Sequence, residues 1–242
     1  MQAAALAISP AIALVWFLYA RSAYRPERKT LVAALFLAGA CCAGLALLLN
    51  HMIERETALW AGAPQLSHRL IYWIAGIGLN EEFAKMTVLL LLLYPRKDFA
   101  HPYQGLLGAA TVSMGFAAVE NLVYLERYGT VTLLVRSLFT IPAHAFFTIP
   151  LGLAMGYSKR AKGALAKYGW LAGGLAASAL LHGLYDVWLS FPSNAVNSLS
   201  YIQVGLMALL TWRLMRLSNA AGNGPAAGLD AGQSADAGEW VR

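Results

Sequence analysis

Seven apolar runs, each near the length that crosses a bilayer, dominate this chain: 3–20, 31–50, 70–94, 104–125, 130–157, 170–190 and 195–217. About 20 apolar residues in a helix span a hydrocarbon core of ~30 Å, and such a segment must satisfy its own backbone hydrogen bonds. The runs predict an all-α fold, a polytopic transmembrane helix bundle of about seven spans. Composition agrees: 59% of residues are hydrophobic and 12% charged, against roughly half and a quarter in a soluble domain. The first run has no Lys or Arg before it and no small-residue cleavage site after it. It therefore reads as a retained span rather than a signal peptide. Residues 1–217 form one transmembrane domain in this reading. Residues 218–242, rich in Ala, Gly, Ser and Asp, are expected to be a disordered cytoplasmic tail. Pro10, Pro142 and Pro150 fall inside runs, where local kinks are expected.

The net charge of +6 would suggest nucleic acid if the chain were soluble. Here the cations lie between apolar runs, as in cytoplasmic loops, and nucleic acid is discounted as a partner. Arg21, Arg25, Arg28, Lys29, Arg96, Lys97, Lys159, Arg160, Lys162, Lys167, Arg213 and Arg216 fall on one side. Arg55, Arg69 and Arg127 fall on the other. This split of twelve to three predicts an external N-terminus and a cytoplasmic C-terminus. Cys41 and Cys42 are adjacent and read as small apolar packers. Gly152/Gly156 and Gly169/Gly173 have the GxxxG spacing that permits close helix contact.

Ionisable residues inside spans are costly, at about 3 kcal/mol or more each, and are functional candidates by default. Run three holds Glu81, Glu82 and Lys85, run four Glu120 beside Asn121, run five Arg136 and His144, and run six His182 and Asp186. At ~1.5 Å per residue, Glu81 lies about 16 Å below the outer face and His182 about 18 Å from the opposite one. His144 lies about 21 Å from the outside if its run begins at residue 130. These groups can converge in one polar cavity in the middle to outer half of the membrane. Lys85 is one helical turn from both glutamates. Asp186 is one turn from His182 and can orient its ring. Arg136, near the outer end of its span, reads as a snorkelling side chain. Adjacent buried carboxylates suit a general base acting on water. Two histidines and a carboxylate could also bind zinc, since His₂Glu is a catalytic ligand set. No HExxH or Ser-His-Asp arrangement is present.

At these residues the chain resembles the PrsW family of prokaryotic intramembrane proteases, relatives of the type II CAAX prenyl endopeptidases. Glu81-Glu82-Phe83-Ala84-Lys85 reads as EExxK, Phe116 to Asn121 as FxxxEN, and His182 to Asp186 as HxxxD, with His144 on the span between. The resemblance covers about residues 70–190. It implies proteolysis in or beside the bilayer of a prokaryotic inner membrane, with membrane-anchored substrates such as anti-sigma factors. It also implies that Glu81 and Glu82 are essential, with Glu120, His144 and His182 around them. The CAAX relatives carry a histidine at the position of Glu120 and often an asparagine at that of Asp186, so oxyanion roles do not transfer directly.

The expectation is an intramembrane endopeptidase in which Glu81 or Glu82 activates water. His144 and His182 hold that water or stabilise the oxyanion. Lys85, Glu120, Asn121 and Asp186 support them. No tightly bound metal is expected, because the two histidines come from separate spans and Lys85 competes with a cation. An ion-coupled transporter and a non-catalytic membrane scaffold are the rival readings. The absence of an inverted repeat weighs against the first, and retention of both glutamates against the second.

Overall fold

The computed structural model describes residues 2–22, 28–99 and 101–222, with side chains described for 4–22, 28–99 and 101–217. Within these, no strand occurs and seven helical columns follow the seven predicted runs. Helix α1 is Gln2–Arg21 and α2 is Lys29–Ala61. The third column is continuous but changes character. A short α3 (Leu66–Leu70) passes into a π-helical stretch, Ile71–Gly78, and then into α4 (Leu79–Leu92). Helices α5 (Pro102–Leu138), α6 (Thr140–Arg160), α7 (Ala164–Leu189) and α8 (Asn194–Gly222) complete the bundle.

Five of these helices, α1, α2, α5, α7 and α8, are long and apolar enough to cross a membrane by length and composition. The remaining columns, 66–92 and α6, carry much of the polar machinery. Helix α6 is buried along most of its length. A helix surrounded by protein needs no continuous apolar face toward lipid. The protein is thus an all-α polytopic bundle with α6 and the first half of α5 at its centre.

Several boundaries move. Helix α2 does not stop at Asn50 but runs on to Ala61, bending at Thr57. The run predicted as 130–157 divides: its first part belongs to α5, and α6 starts only at Thr140. His144 therefore lies in the opening turns of α6, and the depth reckoned from residue 130 does not apply. Residues 218–222 continue α8 rather than beginning a tail. The rest of the expected tail, 223–242, and Arg25 in the first linker lie outside the described residues.

The break inside α5 follows from one residue. Gly129 has φ +79°, a conformation open to glycine and costly for other residues. Glu120 and Arg136, sixteen positions apart, would be separated by about 24 Å along a straight helix. Their side chains bond at 2.7 Å, so the chain turns back at Gly129 and lays residues 130–138 against the end of the preceding helix. The prolines are less disruptive than expected. Pro142 sits in the first turn of α6, where a missing N–H costs little. Past Pro150 the Leu151 N–H donates across to Ser178 Oγ at 3.2 Å.

In lipid, close packing of small residues replaces the hydrophobic drive between helices. A Cβ at Gly105 would strike the Gly152 carbonyl, and one at Gly156 would strike Pro102, so this GxxxG pair seats α6 on α5. Gly169 and Gly173 face open space. At one rim of the bundle Arg69 is buried. It donates to the carbonyls of Gly62, Ala63 and Ser190, and its guanidinium stacks 4.3 Å from the Phe191 ring. It ties the α2–α3 turn to the end of α7.

Candidate active site

Gly78 and Gly183 create the crossing on which the site rests. A Cβ on Gly78 would meet the Ala179 carbonyl and the Gly183 amide, and one on Gly183 would meet the Trp73–Ile74 backbone. The π-helical stretch therefore lies directly on α7. Such stretches change the facing of the residues around them and recur at functional sites. Here the stretch ends three residues before Glu81 and presents both glutamates to His182.

The two glutamates have different surroundings. Glu82 is fully buried and uses both oxygens. Its Oε1 accepts from Lys85 Nζ at 2.7 Å and from His182 Nδ1 at 2.9 Å, and its Oε2 accepts from Thr148 at 2.8 Å. The Thr148 hydroxyl also lies 3.0 Å from Ser113 Oγ, and Ser113 donates to the His144 carbonyl at 2.6 Å. Glu81 is held on one oxygen: Asn50 Nδ2 donates to its Oε1 at 2.9 Å. Its Oε2 is buried and has no hydrogen-bond partner. Around that atom stand His182 Nε2 at 3.7 Å and Lys85 Nζ at 4.0 Å.

His182 is fixed through one ring nitrogen and His144 through both. His182 Nδ1 bonds Glu82, and its Nε2 faces Glu81 Oε2 at 3.7 Å and Asp186 Oδ2 at 3.6 Å. The bond that orients this ring, expected from Asp186, is therefore made by Glu82. His144 Nε2 is 2.8 Å from Glu120 Oε2, and its Nδ1 is 3.4 Å from Lys85 Nζ. Since Lys85 can only donate, Nδ1 accepts and Nε2–H donates to Glu120. The Lys85 ammonium, with no exposure to solvent, also lies 4.4 Å from the centre of the Phe116 ring.

Arg136 is not a snorkelling side chain. The fold-back at Gly129 brings its guanidinium to Glu120 Oε2 at 2.7 Å, to Asn121 Oδ1 at 3.0 Å, and to 3.6 Å from the Tyr124 ring. Asn121 spends its amide on Arg136 and on the Ala7 carbonyl of α1 at 3.4 Å. It supports the wall from behind.

A cavity of about 210 Å³ lies among these groups, with Glu81, Glu120, Arg136, His144, His182 and Asp186 on its wall, and Trp73, Tyr124, Thr140 and Tyr185 beside them. Glu82, Lys85 and Asn121 are not on its wall. The sequence-predicted residues thus converge, but in two shells. Asn50, Asn80, Ser113 and Thr148 were missed. A neutral amide or hydroxyl costs less than a charge in an apolar run, so sequence gives it no flag; Asn80, next to Glu81, and Thr148, one turn beyond His144, had a positional hint.

Ligand atoms of Glu81, His144 and His182 all lie within 4.8 Å of one another. The profile of a family described as "PrsW family intramembrane metalloprotease" matches residues 27–213. Among curated relatives, Protease PrsW of Halalkalibacterium halodurans (strain ATCC BAA-125 / DSM 18197 / FERM 7344 / JCM 9153 / C-125) is 31% identical over 206 residues, 85% of this chain and 90% of its own. Protease PrsW of Bacillus subtilis (strain 168) is 29% identical over 214 residues, 88% and 93% of the two chains. Protease PrsW of Geobacillus kaustophilus (strain HTA426) is 28% identical over 209 residues, 86% and 87%. No solved structure matches. The metal in the family description can be tested against this site. Two imidazoles and a carboxylate are a zinc donor set. The unpartnered Glu81 Oε2 and the open Nε2 of His182 suit it, with Glu82 behind the ring as a supporting carboxylate. With fold, motif residues and relatives in agreement, this multi-pass membrane protein belongs to the PrsW family of intramembrane proteases.

Proposed function

We propose that the protein hydrolyses peptide bonds of membrane-anchored proteins, of the kind exemplified by anti-sigma factors, through water activated by Glu81. One observation carries this reading. Among the described residues, Glu81 Oε2 is the buried carboxylate oxygen left without a hydrogen-bond partner, and Glu81 lines the cavity. A water between Glu81 Oε2 and His182 Nε2 donates one hydrogen to each, which leaves its lone pair toward the substrate. Glu81 takes the proton as the water oxygen bonds to the scissile carbonyl carbon. His144 Nε2–H, held on Glu120 at rest, is the donor placed to meet the oxyanion. When the C–N bond breaks, Glu81 returns the proton to the amine, giving a carboxylic acid and a free amine. Glu82 and Lys85 hold the His182 ring and the helix in register. Arg136 and Asp186 add polarity to the cavity wall.

Zinc held by Glu81, His144 and His182 would supply Lewis-acid activation of the same water. Glutamate-activated water is the preferred reading for two reasons. Both nitrogens of His144 are already engaged, and the Lys85 ammonium stands 4.0 Å from the Glu81 oxygen, where it competes with a cation.

The test is cleavage of a single-span substrate in proteoliposomes without an ion gradient, with elemental analysis of the active enzyme and prolonged chelation. Cleavage that survives chelation is the expected result. Stoichiometric zinc, with activity lost on chelation and restored by zinc, overturns the metal-free mechanism. For orientation we propose seven crossings with the N-terminus outside. A reporter fused after Arg216 should read cytoplasmic and one at Gly62 external; the reverse pattern overturns the orientation.

A further inference from the structure

We propose that Asn50 of α2 is a positioning residue of the hydrolytic site, holding Glu81 so that its second oxygen is free and aimed. This rests on the reading of Glu81 as the base. Asn50 lies outside every motif that marks the site, on a helix that contributes no other group to it. Its Nδ2 donates to Glu81 Oε1 at 2.9 Å. An amide can present either end to a neighbour, and here its direction is set. Asn80 Nδ2 donates to Asn50 Oδ1 at 2.6 Å and to the Ala46 carbonyl at 3.0 Å. With its oxygen committed to Asn80, Asn50 can offer Glu81 only N–H.

This matters because the terminal torsion of a glutamate is broad and two-fold. An unrestrained Glu81 carboxylate could swing toward Lys85 and close a second ion pair with it, and an oxygen so engaged is a poor proton acceptor. The Asn80–Asn50 chain holds one oxygen on the α2 side. The other stays 4.0 Å from Lys85 Nζ and 3.7 Å from His182 Nε2. Asn80 directly precedes Glu81, so the helix that carries the base also carries the group that fixes its holder. One branch, Asn80 to the Ala46 carbonyl, joins α4 to α2; the other passes through Asn50 and ends on the cavity-lining carboxylate.

The experiment is steady-state cleavage of a transmembrane peptide substrate by Asn50→Leu, Asn50→His, Asn80→Leu and the Asn50→Leu/Asn80→Leu double variant, beside Glu81→Gln. Leucine has the size of asparagine without its polar atoms, whereas histidine places Nδ1 near the lost amide nitrogen. Asn50→Leu should lower kcat about 10- to 100-fold with KM within about twofold, as expected when a reacting group is misplaced rather than removed. Asn50→His should recover most of the loss. Asn80→Leu should lower kcat by less, and the double variant should be no slower than Asn50→Leu, because both residues act through one chain. If Asn50→Leu does not fold, a lowered kcat in Asn80→Leu beside a near-wild-type Asn50→His supports the proposal, and wild-type kcat in Asn80→Leu overturns it. Wild-type kcat in Asn50→Leu overturns the proposal, as does equal impairment of the leucine and histidine variants. A Glu81→Gln enzyme that still cleaves would instead overturn the choice of base. An inactive Glu81→Gln beside a fully active Asn50→Leu removes only the role given to Asn50.

Discussion

Glu82 and Glu81 are neighbours in the chain, yet the walls around them differ in kind. Around Glu82 the protein has placed an ammonium, an imidazole N–H and a hydroxyl, all within 2.9 Å, and no solvent reaches it. Around Glu81 it has placed one amide, the second oxygen has no hydrogen-bond partner, and the residue lines a cavity. A carboxylate that accepts three hydrogen bonds, one of them from an ammonium, stabilises the structure that depends on it and is a poor proton acceptor. A carboxylate held at one end keeps its direction and can still react. The same helix turn thus carries one carboxylate bonded through both oxygens and one bonded through a single oxygen, and the proposed mechanism takes the first as an anchor and the second as the base.

The comparison breaks most visibly if the two glutamates are exchanged for amides. Glu81→Gln should lower cleavage about 10²- to 10⁴-fold, the range for a lost general base, with thermal unfolding in detergent nearly unchanged. Glu82→Gln strips the anion from buried Lys85 and should cost about 3–5 kcal/mol of stability, read as a large fall in melting temperature. Similar melting temperatures for the two variants would erase the distinction between anchor and base.

Arg136→Leu tests the outer wall. It leaves Glu120 without its cation and Asn121 without its donor, and should cost about 1.5–3 kcal/mol. A snorkelling arginine would cost almost nothing. Thr148→Val sharpens the picture of Glu82 by removing one donor of three. It should cost about 1 kcal/mol and slow cleavage only modestly. Gly129→Ala should cost about 1–2 kcal/mol through its positive φ, by the same thermal measurement, and should loosen the Arg136 segment.

Much of this was legible in the sequence, for a physical reason. Charges are so costly in lipid that Glu81, Glu82, Lys85, Glu120, His144, His182 and Asp186 mark themselves, and apolar length marks the columns that carry them. The ends of those columns were less legible. Helix α2 passes its predicted end at Asn50 because backbone hydrogen bonding continues wherever the next residues allow it, in water as in lipid. The return of residues 130–138 depends on a single φ angle at Gly129, which composition and hydropathy do not encode. Arg136 was misread for that reason: a snorkelling side chain and one folded back onto Glu120 have the same place in a run. Which glutamate is free was also hidden, since it depends on Thr148 and Asn50, neutral residues that a hydropathy pattern passes over.

Chemical rescue tests the assignment of the base most directly. Glu81→Ala removes the carboxylate and enlarges a cavity that already holds about 210 Å³, which is room for formate. In proteoliposomes with a single-span substrate, Glu81→Ala should be inactive and should regain cleavage in proportion to added formate, whereas Glu82→Ala, which has lost its anchor, should gain none. Cleavage by Glu81→Ala at the wild-type rate without formate, or rescue of Glu82→Ala alone, would contradict the assignment of Glu81 as the base.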